Sequence, residues 1–411
     1  MSHHLVRRLI TVVTLLAATA VPALSATQAS ASTRTAAVST SDTHTVVRAG
    51  CGATPAAGYA ACNAYVRTSK VHPNSGTSTT SGYIPSQIQA AYGLAAASAA
   101  DGSSQTIGIV DAYNDPTAAA DLAVYRSAYG LSACTVASGC LKITSQTGST
   151  TSLPSNDGGW AEEESLDLDM ASATCPLCKI ILVEASSASY ANLGTAVNEA
   201  VALGANVVSN SYGGSESSGE TSYDTYYHHS GVIITASTGD SGYGVEYPAA
   251  SQYVVAVGGT SLSTSTTASR GWTETAWADA GSGCSKYETK LTGQSLVTTG
   301  CSKRAVADVS AVADPNTGVA VYDSTSYDGY VGWLQFGGTS VSSPLIAGVF
   351  ALAGNESSVS NNTLYNYVGT AYLNDVTSGS NGSCSVSELC TATTGWDGPT
   401  GLGTPEGITA F

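Results

Sequence analysis

The sequence predicts an α/β fold, a parallel sheet with helices on both faces, and three observations predict it. Short apolar stretches recur at 106–110, 179–183, 206–209, 232–236 and 254–257, each the length of a buried strand. Helical stretches fall between and around them, at 118–129, 161–173, 190–203 and 220–229, and strand alternating with helix is the pattern of a covered parallel sheet. Hydrophobic residues make up 43% of the 411 positions, enough to fill one large core.

Read from the start, the chain opens on Arg7 and Arg8, an apolar run from Leu9 to Leu24, and the small residues Ala29-Ser30-Ala31. That is the layout of an export signal over 1–31, with cleavage expected after Ala31 and a secreted, extracellular product. Residues 32–82 are mostly Ala, Ser, Thr and Gly without periodicity, interrupted by Cys51 and Cys62, and read as a short, partly disordered pro-region. Organised structure is expected over 83–411, beginning with a helix that carries Ile88, Ala91, Tyr92 and Leu94. The stretch 261–332 is richer in turns, and an apolar helix follows at 341–352. No later apolar run reaches the roughly eighteen residues of a membrane span, so the mature protein is expected to be soluble with no membrane contact, and it is read as a monomer.

The ten cysteines fall into near neighbours, Cys51 with Cys62, Cys134 with Cys140, Cys175 with Cys178, Cys284 with Cys301 and Cys384 with Cys390. Local disulfides are the natural reading in an exported chain, although sequence does not fix connectivity. No second CxxC or nearby histidine turns Cys175-Pro176-Leu177-Cys178 into a zinc site. Thirty acidic residues face fourteen basic ones, which leaves no basic patch for a nucleic acid.

Chemistry concentrates in a few segments. Gly337-Gly338-Thr339-Ser340 delivers a serine to the start of an apolar helix, where free N–H groups and the helix dipole favour developing negative charge. A serine there is more often a plain cap, so it needs a base to mean more. His3, His4, His44 and His72 precede the folded domain, and His228-His229 lacks glycine-rich surroundings. Carboxylates offer an alternative: Glu163 and Asp167, four apart, share a helix face, and one could orient the other, although an acidic helix start is usually solvated charge. Asp240, in Thr238-Gly239-Asp240-Ser241-Gly242, follows an apolar strand at the end where parallel sheets bind ligands. Its ordinary use would be a turn.

Glu163 and Asp167 in an ExxxD arrangement, Asp240 in GDSG and Ser340 in GGTSxxxP, in this order, resemble the signature of the sedolisin (serine-carboxyl peptidase) family. Tyr247-Pro248-Ala249-Ala250-Ser251 and Val257-Gly258-Gly259-Thr260 also look like family segments, and the resemblance runs from Tyr83 to Phe411. It implies a subtilisin-like fold and an endopeptidase with Ser340 as nucleophile, Glu163 as base and Asp167 as its orienter. Asp240 would be a protonated carboxyl donating to the oxyanion, which implies activity in acid. Asp111 resembles an acidic position behind Asp167, and Ser211, Tyr212 and Gly213 the stretch that pairs with protein or peptide substrates in extended form. Asp375, Val376, Thr393, Gly395 and Asp397 resemble the family's Ca2+ site, with carboxylates from Asp375 and Asp397 and carbonyls from the other three. Residues 32–82 are shorter than the family's usual pro-domain.

Overall fold

A computed structural model describes residues 45–52, 54–68 and 81–411. The expected export signal at 1–31 lies outside the described residues. In chain order the strands of the first half are β1 Thr45–Arg48, β2 Ala61–Cys62, β3 Tyr65–Thr68, β4 Thr106–Ala112, β5 Leu141–Ser145, β6 Lys179–Ala185, β7 Val207–Asn210, β8 Tyr212–Ser215 and β9 Ile233–Ser237. They continue with β10 Glu246–Tyr247, β11 Val255–Thr264, β12 Trp272–Ala276, β13 Gly283–Cys284, β14 Ala305–Val306, β15 Val309–Val312, β16 Val319–Tyr327, β17 Tyr330–Gly337, β18 Leu373–Asn374 and β19 Thr404–Pro405. The helices are α1 Pro85–Ala91, α2 Ala95–Ala100, α3 Ala118–Ala128, α4 Gly158–Thr174, α5 Tyr190–Ala202, α6 Thr339–Ala353 and α7 Asn361–Leu364.

The eight-stranded central sheet runs β12-β11-β9-β7-β4-β6-β5, with β15 branching from β11. Every pairing in it is parallel except β11 with β12. The inner strands read Ile-Gly-Ile-Val in β4 and Ile-Ile-Leu-Val in β6 because they are covered on both faces, and those residues are buried. Helix α5 lies on β4, β6 and β7, while α4 and α6 pack against each other and both touch β4. Helix α6 is buried over nearly its whole length, which explains an apolar sequence without a polar stripe. Its polar residues are tied to the sheet instead: Ser343 Oγ meets Ser209 Oγ at 2.9 Å and Thr235 Oγ1 at 3.0 Å, and Ser342 Oγ donates to Ala311 O at 3.1 Å.

The structure departs from the sequence reading in two places. Part of the stretch expected to be a partly disordered pro-region is built into the fold: β1 and β3 join β17 and β16 in a four-stranded antiparallel sheet, and β2 adds to β8. The 220–229 stretch forms only two short 3-10 turns, Glu220–Ser222 and Asp224–Tyr226. Asp224 turns inward there to accept from Ser251 Oγ at 2.7 Å and Tyr247 Oη at 3.2 Å, which a continuous helix would not allow. The turn-rich stretch after residue 261 still contributes β12, β15 and β16. All ten cysteines pair with their near neighbours, so Cys175 and Cys178 form a disulfide.

Candidate active site

The first turn of α6 stands at the carboxyl ends of β4, β7 and β9, and the candidate residues converge there. Gly338 caps the helix at φ 103°, and a Cβ at that position would collide with Asn63 O and Asp240 Oδ2. The position therefore needs glycine. Ser340 Oγ donates to Ser211 O at 3.0 Å and accepts from Asn63 N at 3.1 Å. Pro344, four residues on, has no N–H to give Ser340 O, which is left to Ser211 Oγ at 3.4 Å.

Asp240 sits beside this turn, fully buried. Its Oδ1 accepts from Thr339 N and Thr339 Oγ1, each at 2.8 Å, while Oδ2 has no partner. Burial pushes its pKa well above the usual carboxylate range, and the Thr339 bonds offset this only in part. With Oδ1 already accepting twice, the proton belongs on Oδ2. Asp240 Oδ2 and Ser340 N–H thus both lie at the first turn of α6, beside Ser340 Oγ.

Helix α4 starts at Asp157, whose carboxylate caps Gly159 N and Trp160 N, both at 3.0 Å. Glu162, Glu163, Glu164, Asp167 and Asp169 are all buried along it, where an acidic helix start would normally be solvated. Glu163, Asp167 and Asp111, the last on β4, are buried beside one another, with the Ser340 hydroxyl next to Glu163 and the Ser211 hydroxyl next to Asp167. Burial, then the charges of Asp167 and Asp111, hold Glu163 well above its ordinary pKa; the nearby Ser340 hydroxyl pulls the other way. Burial and then Asp111 raise Asp167, with Ser211 opposing, and burial lifts Asp111 to about 8. Three carboxyls so close cannot all ionise, so the group shares protons. A turn of the Ser340 hydroxyl away from Ser211 O brings it to Glu163.

Ser211, just before β8, and Gly213 within it present their backbones to residues 61–63. Tyr212 turns its side chain into the core, Oη donating to Asn210 Oδ1 at 2.7 Å, so only its main chain faces a bound strand. The two described histidines lie elsewhere: His229 Nε2 meets Tyr226 O at 3.0 Å, and His228 stacks on Tyr253 at 4.2 Å. Sequence reasoning missed Asn63, Thr339 and Glu246. The paired cysteines at 51 and 62 were the available sign that residues near Asn63 are ordered.

Near the C-terminus, the candidate metal residues lie together on loops beside the β18–β19 pair. Gly395 N donates to both oxygens of Asp375, at 3.0 and 3.2 Å, and Thr393 N to Asp397 Oδ2 at 3.0 Å. Burial first, with Asp375 adding to it, pushes Asp397 up to about 7. Burial raises Asp375 as well, and the two neighbouring carboxyls are hard-oxygen donors of the kind Ca2+ takes.

A profile described as the Subtilase family matches residues 156–382. Kumamolisin of Bacillus sp. (strain MN-32) is 32% identical over 365 residues, 79% of this chain and 62% of that protein. Sedolisin of Pseudomonas sp. (strain 101) is 29% identical over 369 residues, covering 79% of this chain and 60% of its own. The chain thus spans about three fifths of the length of the curated relatives it matches. Among solved structures, Pseudomonas sedolisin (serine-carboxyl proteinase), complexed with two molecules of pseudo-iodotyrostatin, superposes with a TM-score of 0.69 at 28% identity, over 80% of this chain and 96% of that one. With this subtilisin-like fold and those relatives, the chain belongs to the subtilase family, in its sedolisin group.

Proposed function

We propose that this protein is a secreted serine-carboxyl endopeptidase that cleaves peptide bonds in acid through an acyl-enzyme on Ser340. The observation that carries the reading is which side chain lies beside the Ser340 hydroxyl. It is Glu163, backed by Asp167 and Asp111, while of the described histidines His229 bonds to Tyr226 O and His228 stacks on Tyr253. Ser340 Oγ attacks the carbonyl carbon, Glu163 takes its proton and passes it to the leaving amine, and a water then repeats the exchange to release the acid. Asp167 and Asp111 carry the protons that the three carboxyls share, which leaves Glu163 as the carboxylate that accepts, and Asp167 orients it. Ser340 N–H and protonated Asp240 meet the oxyanion, each such donor being worth about 3 kcal/mol. Main-chain groups of Ser211, Tyr212 and Gly213 hold the substrate as an added strand.

Acid dependence follows from Asp240. Its carboxyl donates only while protonated, so the oxyanion donor is lost as pH rises through its elevated pKa. Proteolysis of a denatured protein should therefore be faster at about pH 4 than at about pH 7, values that straddle the ordinary carboxyl and imidazole ranges. Activity that instead peaks at neutral pH would remove the protonated-carboxyl role. Silence at both, in protein shown to be folded and with its groove cleared, would favour a peptide-binding relative without catalysis. The disulfides support an extracellular setting.

Calcium at Asp375, Val376, Thr393, Gly395 and Asp397 would pin the β18–β19 loops, and its role there is structural. A ligand present at a hundred times its dissociation constant stabilises by about 2.7 kcal/mol, so chelation should lower the melting temperature by several degrees. Re-addition of Ca2+ should restore it, and Asp397→Ala should abolish the response. A melting curve indifferent to chelator would remove the metal.

A further inference from the structure

Residues 58–65 cross the active site in the manner of a bound substrate. Asn63 O accepts from Ser340 N at 2.9 Å, in the place of an oxyanion. Asn63 N faces Ser211 O at 3.3 Å and Ser340 Oγ at 3.1 Å. Upstream, Cys62 stands opposite Tyr212 and Ala61 opposite Gly213 in antiparallel register, while Ala60 N donates to Ala188 O at 2.8 Å on the other side. The Asn63 side chain enters a pocket where Nδ2 donates to Ser237 Oγ at 2.9 Å and also engages half-buried Glu246. These contacts place the peptide bond between Asn63 and Ala64 at the nucleophile.

We propose that this segment is a built-in substrate mimic that occupies the groove and is retained there, so that the chain as described is latent. The proposal rests on the peptidase reading above. Retention follows from how both ends are held. Before the bond, the disulfide Cys51–Cys62 closes the strand into a ring, and a carboxylate oxygen of Glu163 lies within 4.8 Å of both sulfurs, so the ring also roofs the base. After the bond, Ala64 O accepts from Ala49 N at 3.0 Å and β3 is paired on both sides, with β1 and β17. Arg48, at the end of β1, donates to Asp240 O at 2.8 Å and lies 5.0 Å over the Tyr65 ring, which fastens the two arms of the hairpin beside the site.

Reaction at this bond is reversible by construction. Attack of Ser340 Oγ on the Asn63 carbonyl carbon breaks its bond to Ala64 N, an ester forms, and the serine proton passes through Glu163 to the new amine. That amine stays in place because β3 is held in its sheet, so it attacks the ester, reforms the peptide bond and returns the proton by the same route. Water competes poorly for an ester whose leaving group never leaves.

The test compares the full wild-type chain with the double variant Cys51→Ser and Cys62→Ser, each with and without Ser340→Ala, at about pH 4. Turnover of a short fluorogenic peptide with asparagine before the scissile bond is followed together with the intact mass. Opening the ring should raise initial turnover at least tenfold and let self-cleavage between Asn63 and Ala64 run to completion, while the Ser340→Ala forms stay uncut. Should the double variant not fold, Ala61→Pro, which stops the strand from pairing with Gly213, gives the same readout. Wild-type protein that turns over peptide at the variants' rate with the Asn63–Ala64 bond intact overturns the mimic and leaves the peptidase reading standing. No turnover by any folded form overturns both.

Discussion

Glu163→Gln should reduce kcat by about 10³-fold or more, and Ser340→Ala by about 10⁶-fold, in protein whose groove has been cleared. The two losses come from different atoms of one proton path. Without the hydroxyl there is no nucleophile. In the Glu163→Gln variant the hydroxyl remains but its proton has nowhere to go, because the described histidines lie elsewhere and Asp167 stands behind Glu163 rather than in its place. The glutamine side chain is isosteric and cannot ionise, so the variant should fold as the wild type does and bind substrate with little change in KM. Steady-state kinetics at acid pH, with melting curves on the same samples, check this. A Glu163→Gln enzyme within tenfold of wild type would mean that another group takes the proton.

Stability should fall as pH rises, the reverse of what most proteins show between acid and neutral. Burial holds Glu163, Asp167, Asp169 and Asp240 well above the usual carboxylate range, lifts Asp111 and Glu184 to about 8, and lifts Glu162 to about 7. The folded chain therefore keeps protons that the unfolded chain releases near pH 4, with Glu163, Asp167 and Asp111 sharing theirs rather than each holding one. Stability is complete below that range and is lost as pH climbs through about 7 to 8. Each unit by which a buried carboxyl is raised corresponds to about 1.4 kcal/mol, so a few such groups suffice to lower the melting temperature by about 10 °C between pH 4 and pH 8. Glu163→Gln should blunt that loss at pH 8 while abolishing activity, which separates the two effects in one protein. A melting temperature that climbs steadily from pH 4 to pH 8 would contradict the burial of protonated carboxyls.

The layered sheet was legible because its inner strands carry unbroken apolar runs and its helices follow at regular spacing, a pattern set by burial alone. Ser340, Glu163, Asp167 and Asp240 were legible through their motifs, and the structure gathers them around one helix start. Hidden from the sequence was whatever depends on partners far along the chain. Residues 45–68 look featureless because strands this short gain their order from β8 and β17, more than a hundred residues away. The 220–229 stretch looks helical by composition, but Asp224 is claimed by Ser251 and Tyr247. The acidic run on α4 reads as solvated charge because nothing local reveals that α6 will bury it.

The five disulfides join cysteines only 3 to 17 positions apart, which bears on how such an enzyme survives its own company. A substrate must be drawn out as a strand at roughly 3.3 Å per residue to lie along β8. A backbone stapled into a ring of six or so residues, like those closed by Cys134–Cys140 and Cys384–Cys390, cannot be drawn out that far without breaking the staple. For the peptidase proposed above, such rings would make neighbouring copies poor substrates for one another, so the crosslinks would guard against autolysis.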